Sequence, residues 1–173
     1  PMSMNLLKAG YSVVVYNRTR NKVDSLAKDG AQLAESPKDV AQQAEIIVVM
    51  VSDSPDVEQV ILGKNGILEG VKPGSVVVDM STISPAVTRE IGIKLTEKKA
   101  HLLDAPVSGS SWAAIDGTLA IMVGGESEIY KRCLPIFEVM GKKIIHIGPS
   151  GMGQVAKLVN QIIVAGTLSA VCE

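Results

Sequence analysis

Ile46-Ile47-Val48-Val49-Met50-Val51 and, further on, Val76-Val77-Val78 are the stretches whose reading decides the fold. Neither alternates apolar with polar residues, as a strand with one wet face would. Both therefore read as strands buried on two faces, the condition of a parallel sheet covered by helices. With their flanks they give strand candidates at Glu45–Val51 and Ser75–Asp79. Working outward, Ser12–Tyr16, His101–Ala105, Leu119–Val123 and Lys143–Ile147 are short apolar runs of the same kind.

Helix signals fill the gaps between these runs. Ser36-Pro37, Ser54-Pro55 and Ser84-Pro85 each pair a capping residue with a proline at the first helical position. Gly10 and Gly30 fall where helices should stop. Alternating strands and helices predict an α/β, doubly wound, mostly parallel Rossmann-type sheet. The loop from Gly63 to Gly74 holds Ile67, Leu68 and Val71 and reads as packed. No repeat, low-complexity tract or linker is visible.

Both ends carry expectations. Pro1 opens directly into a helical pattern, Met2 to Ala9, where a doubly wound sheet normally has a strand and a glycine-rich turn first. Residues 1–150 are thus expected to be a partial dinucleotide-binding domain lacking that first strand and turn. Residues 151–173 form one long helical pattern with Val155, Leu158, Val159, Ile162, Ile163 and Leu168 as an apolar stripe.

Composition narrows the class of function. The 173 residues are 46% apolar and 3% aromatic, with a formal net charge of −1. This near-neutral balance, without a basic run, argues against nucleic acid or a membrane surface as partner. Cys133 and Cys172 lie far apart without metal-ligand spacing and read as free thiols in a reducing compartment. No metal site is expected. No apolar run is read as approaching the roughly 20 residues that span a bilayer, and no signal peptide is seen, so a cytoplasmic protein is expected.

Candidate chemistry gathers at predicted strand ends, where open α/β sheets bind ligands. Tyr16-Asn17-Arg18-Thr19 ends the first visible strand, where the ribose of a dinucleotide is read. A neutral residue followed by arginine suits the 2′-phosphate of NADP, whereas an acidic residue would favour NAD. A plain strand-to-helix turn is the alternative. Met50-Val51-Ser52-Asp53 and Asp79-Met80-Ser81-Thr82 end the next strands; helix capping is the other role open to Ser52 and Ser54. In Asp104-Ala105-Pro106-Val107-Ser108-Gly109-Ser110, Ser108 and Gly109 can offer a hydroxyl and N–H groups to a carboxylate. In Gly151-Met152-Gly153-Gln154-Val155-Ala156-Lys157-Leu158-Val159-Asn160-Gln161, Lys157, Asn160 and Gln161 can share one helix face. Lysine in an apolar helix is either buried, with a lowered pKa useful for acid–base work, or extended to solvent. His101 and His146 read as structural.

Taken in order, these segments resemble the β-hydroxyacid dehydrogenase family, which includes 3-hydroxyisobutyrate dehydrogenases, tartronate semialdehyde reductases and glyoxylate/succinic semialdehyde reductases. The residues that carry the likeness are Pro1 to Leu6 with Gly10-Tyr11, Asp79 to Thr82, Asp104 to Gly109, Asp116 to Leu119, Met122 to Gly125, and Gly151 through Gln161. Gly63 to Ile67, Ile115 to Leu119 and Lys157 to Gln161 are most similar to the tartronate semialdehyde reductase branch.

The resemblance implies hydride transfer between NADP(H), with NAD(H) as the alternative, and a small 3-hydroxy or 3-oxo acid. Lys157 matches the catalytic lysine, with Asn160 preferred over Gln161 as its amide partner, although many relatives carry Asn at the position of Gln161. Ser108, Gly109 and Ser110 match the substrate-carboxylate loop, with Gln161 beside the substrate. Val51, Ser52 and Thr82 match the nicotinamide side of the cofactor site, and Asn17, Arg18 and Thr19 match its ribose end. The resemblance further implies a C-terminal helical domain after the long helix and a homo-oligomer.

The departures are the missing Gly-x-Gly-x-x-Gly turn, for which residues 1–173 alone are expected to bind NADPH weakly, and Ser110-Ser111 where relatives often read glycine. Trp112 lines the pocket or lies on the surface. A catalytically silent dehydrogenase-like scaffold is the rival from another class; the retained Lys157 favours an enzyme. Imine reductases usually lack this lysine. Phosphogluconate enzymes need basic groups that the Ser108-Gly109 loop does not have nearby.

Overall fold

The computed structural model describes residues 1–173. In chain order the elements are α1 (Met2–Lys8), β1 (Val14–Val15), a 3-10 turn (Arg20–Lys22), α2 (Asp24–Lys28), β2 (Gln32–Leu33), α3 (Pro37–Gln43) and β3 (Ile46–Val49). Next come α4 (Ser54–Leu62), α5 (Ile67–Gly70), β4 (Val76–Asp79), α6 (Pro85–Glu97), β5 (His101–Asp104), β6 (Val107–Ser108) and α7 (Ser110–Asp116). The chain ends with β7 (Leu119–Gly124), α8 (Ser127–Met140), β8 (Gly141–Gly148) and α9 (Met152–Cys172).

Strands β3, β4 and β5 run parallel, with Val76 opposite both Ile46 and His101. Strand β7 joins β5 in the antiparallel sense through Asp104 and Gly124, pairs antiparallel with β6, and pairs parallel with β8. Strands β1 and β2 form a separate parallel pair. The sheet is mostly parallel, and its strands alternate with helices as expected.

Burial explains why β4 shows no polar alternation. All four of its residues are buried. Val77 packs with Ile47, Val49, Val57, Ile61, Ile91 and Leu95 on the α4/α6 side. Val76 and Val78 pack with Leu103, Ile121, Phe137 and Met140 on the α8 side. Each face of the strand thus removes apolar surface from water, at about 25 cal/mol per Å².

Four local expectations change. Strands β2 and β6 have two residues each, too few to show a periodicity. The cap of α4 is not Ser54 but Asp53, whose Oδ1 accepts from the Asp56 N–H at 3.1 Å. Ser54 lies inside the helix, and its Oγ accepts from the Ser84 N–H at 3.2 Å. Ser36 and Ser84 do cap, accepting from Asp39 and Ala86. Finally, α9 spans 21 residues and contains an 18-residue stretch with a mean hydropathy of 1.6, long and apolar enough to cross a membrane by length and composition. Lys157, Asn160 and Gln161 interrupt the apolar run in sequence without lowering the mean of the stretch enough to fail that test.

Candidate active site

The carboxyl ends of β3, β4 and β5 are tied together by one buried polar network, and α9 starts on top of it. Ser81, Asp104 and Gln154 are all 0% exposed. Asp104 ends β5, and its two carboxylate oxygens accept from the N–H groups of Gly151 (2.8 Å) and Gln154 (2.9 Å). An anion there satisfies the unpaired donors of a helix start and the positive end of its dipole. Gly151 takes a left-handed φ of +86°, which lets the chain turn from β8 into α9. Gly153 lies so close to the sheet that a Cβ would fall 2.7 Å from the Asp104 carbonyl oxygen.

The Gln154 side chain completes the network. Its Oε1 accepts from the Ile83 N–H at 3.0 Å, and its Nε2 donates to the Ser81 carbonyl at 2.8 Å. Ser81 in turn donates its N–H to Asp79 Oδ1 at 3.0 Å and accepts from the Val51 N–H at 3.0 Å through its Oγ. Thr82, exposed, sits between the two residues held by Gln154, and half-buried Val51 is one bond from Ser81. Ser52 is exposed on the turn into α4.

One turn further along α9, Lys157 is only 7% exposed. Its Nζ donates to Gln161 Oε1 at 2.7 Å. Asn160 reaches the same oxygen through its Nδ2 at 3.4 Å. The amide that meets the lysine directly in this structure is therefore Gln161, with Asn160 behind it. Burial pushes the Lys157 ammonium below the usual lysine range, because desolvation disfavours its charge.

Asp79 is the other displaced group. Burial raises its carboxyl to about 6, against the lowering effect of its Ser81 hydrogen bonds, and neighbouring Asp104 adds to the rise. Its Oδ2 has no hydrogen-bond partner.

The candidate carboxylate loop leaves β5 at Asp104 and returns through β6. Ser108 is half-buried and pairs with Ala120 of β7; Gly109 and Ser110 are exposed. Both have left-handed backbones, at φ +137° and +64°, and a Cβ at Gly109 would meet that of Ala113 at 2.6 Å. Ser110 has the side chain that Gly109 cannot carry. Trp112 is 75% exposed on the surface of α7.

Asn17, Arg18 and Thr19 lie apart, at the end of β1. The Thr19 N–H donates to Asn17 Oδ1 at 2.8 Å, shaping the turn, and Arg18 approaches Asp56 of α4 at 3.6 Å. A cleft of about 190 Å³ is lined here by Tyr16, Asn17, Arg18, Arg20, Leu33 and Glu35, among others. Arg20, paired with Glu35 at 3.1 Å, is a second basic residue that the sequence reading passed over, although it stands two positions from Arg18. No group of three or more His, Cys, Asp or Glu side chains is placed to hold a metal ion. His146 stacks on Tyr130 at 5.0 Å and meets the Gly125 carbonyl, and His101 faces Glu126 at 3.4 Å.

Residues 1–148 match the family described as the NAD binding domain of 6-phosphogluconate dehydrogenase. The chain is 42% identical over 173 residues to the 2-hydroxy-3-oxopropionate reductase of Escherichia coli, covering 100% of this chain and 59% of that protein. It is 41% identical over 173 residues to the NAD-dependent L-serine dehydrogenase of Pseudomonas aeruginosa, covering 100% of this chain and 58% of that one. Among solved structures, the 3-hydroxyisobutyrate dehydrogenase of Mycobacterium tuberculosis with L-serine superposes with a TM-score of 0.89 at 33% identity, over 95% of this chain and 56% of that chain. The chain spans less than two thirds of the length of each.

Proposed function

This chain belongs to the family of NAD-binding domains described for 6-phosphogluconate dehydrogenase, and on that premise we propose that the whole protein transfers hydride between NADP(H) and a small 3-hydroxy or 3-oxo acid. The observation that carries the reading is Lys157: an almost buried ammonium, held by an amide, on a helix whose start is pinned to the strand ends. Desolvation brings its proton closer to neutral pH, where it serves as a general acid.

In this reading the dinucleotide, when bound, gives or takes the hydride. Lys157 protonates the substrate oxygen in reduction and receives that proton in oxidation. Gln161 and Asn160 orient the lysine. Ser108, Gly109 and Ser110 hold the substrate carboxylate, which fixes the reacting carbon against the cofactor. Asn17, Arg18 and Thr19 hold the ribose end; Asn17 brings no negative charge to repel a 2′-phosphate, and the largely exposed Arg18 side chain, paired only loosely with Asp56 at 3.6 Å, can turn to meet one. Val51, Ser52 and Thr82 border the nicotinamide.

Tartronate semialdehyde, reduced to glycerate, is the first substrate to test, since the Escherichia coli relative is a 2-hydroxy-3-oxopropionate reductase. L-serine is the second, because one relative is an L-serine dehydrogenase and another was solved with L-serine. Both are three-carbon carboxylates with oxygen on C3, differing at C2. The same reading puts the protein in the cytoplasm as a homo-oligomer, with the exposed stripe of Leu158, Val159, Ile162, Ile163 and Leu168 covered by a C-terminal helical domain.

Steady-state kinetics on the whole protein tests the proposal, using tartronate, succinic and methylmalonate semialdehydes, L-serine and 3-hydroxyisobutyrate with each dinucleotide. Turnover of at least one, and a kcat lower by about 10²–10⁴ in Lys157→Ala with little change in cofactor binding, is the expected result. Absence of turnover on all five, or full activity without the lysine, removes the reading.

A further inference from the structure

We propose that Gln154 is a positioning residue, whose side-chain amide sets the rotation of α9 and so aims Lys157 at the crevice above the strand ends. The inference rests on the role given to Lys157 above. Three observations carry it. Gln154 is completely buried, yet both ends of its amide are bonded, to the Ile83 N–H and the Ser81 carbonyl. Its own N–H is bonded to Asp104. Lys157 stands three residues later, on the same helix face.

The geometry requires more than an apolar anchor. Asp104 holds the start of α9 axially, through the donors that every helix start presents, and those two bonds alone leave the helix free to roll about its axis. The Gln154 side chain reaches sideways to the loop that follows a different strand, β4, and grips it at two backbone points either side of Thr82. A helix fixed at its end and at one lateral point cannot roll. Because positions 154 and 157 share a face, the lateral point and the ammonium turn together.

Two readouts test this on the whole protein. Gln154→Met keeps the size of the side chain and removes both bonds. Its kcat is expected to fall by up to about 10²-fold, the effect of displacing a reacting group by about 1 Å, with KM for the acid nearly unchanged. Independently of turnover, NMR of ¹³C-labelled lysine, with Lys157→Arg identifying the signal, is expected to show Lys157 titrating higher by about half a pH unit or more in this variant, as an ammonium released toward water would.

Gln154→Glu gives the second arm and covers the case in which Gln154→Met does not fold. Protonated, its carboxyl accepts from Ile83 and donates to Ser81 as the amide does; ionised, it cannot donate. Its kcat should therefore recover as pH falls, with the Lys157 titration returning toward wild type. Unaltered Lys157 titration in the variants overturns the proposal, whether kcat is retained or lost, since a loss alone would make Gln154 structural. If Lys157→Ala keeps full activity, the function reading fails while the titration still decides whether Gln154 aims the lysine.

Discussion

At the scale of single residues, Asp79 has the sharpest consequence. Its carboxyl titrates near 6 in the fold and near 3.8 in the ordinary state, chiefly because it is buried. Between those values the folded protein holds a proton that the unfolded chain has released. Stability therefore falls as pH rises through that window, and stays at its lower level above it. The gap corresponds to about 3 kcal/mol at full effect. Asp79→Asn keeps the acceptor for the Ser81 N–H and removes the buried charge. It is expected to raise stability by about 2 kcal/mol at pH 7.5 and to be nearly neutral at pH 4. Urea titrations at the two pH values check this; equal shifts at both would contradict it.

Some of this was legible beforehand. Lys157 stood out as a charge in an apolar helix. Asp104 did not show its role, since its partners lie 47 and 50 residues further on and no spacing rule connects them. Choosing between Asn160 and Gln161 likewise required rotamers rather than register.

At the scale of elements, two tendencies compete at the start of α9. Gly153 is helical, and alanine there would gain about 1 kcal/mol of helix propensity. A Cβ would also press on the Asp104 and Met122 carbonyls and on the Asp104 carboxylate, at distances that carbon atoms do not adopt. Relieving that overlap by lifting the helix costs about 1–3 kcal/mol and strains the bonds to Asp104. Gly153→Ala is therefore expected to destabilise despite propensity, with faster amide exchange at Gln154; a stabilised variant would show that propensity wins.

The strands divide by the same logic. Strand β4 could be read because burial on both faces excludes polar residues, and β3 because one face is buried and the other half-buried against apolar neighbours. Strands β1 and β2 pair over two residues each, stabilised by Val15, Val23 and Ala31, a cluster too small to imprint a pattern. Capping was readable as a Ser-Pro signal, but at α4 the acidic neighbour Asp53 outcompeted serine for the same N–H.

At the scale of the whole molecule, the candidate ribose site lies at the end of the two-stranded sheet β1–β2, whereas α9, which carries the candidate proton donor, packs on the six-stranded one. Arg18 bridges toward the second sheet through Asp56 on α4. Cofactor choice and chemistry should then be separable by mutation. Asn17→Asp, which adds a negative charge beside the 2′-position, is expected to lower kcat/KM for NADP(H) by about tenfold or more relative to NAD(H), while the pH profile assigned to Lys157 is unchanged. Parallel measurements with both dinucleotides check it; an unaltered preference would place the ribose elsewhere. The alternation of strands and helices made this architecture readable, whereas the break into two sheets depends on pairings too short to leave a trace.

The two cysteines differ in a way that is useful at the bench. Cys133 is sealed in the core, and burial raises its thiol to about 11, whereas Cys172 stands exposed at the far end of α9. Of the two, a maleimide dye added to the folded chain should therefore mark Cys172 and spare Cys133. That fluorophore would sit on the long helix whose apolar side faces outward, and its emission would report whatever comes to cover it.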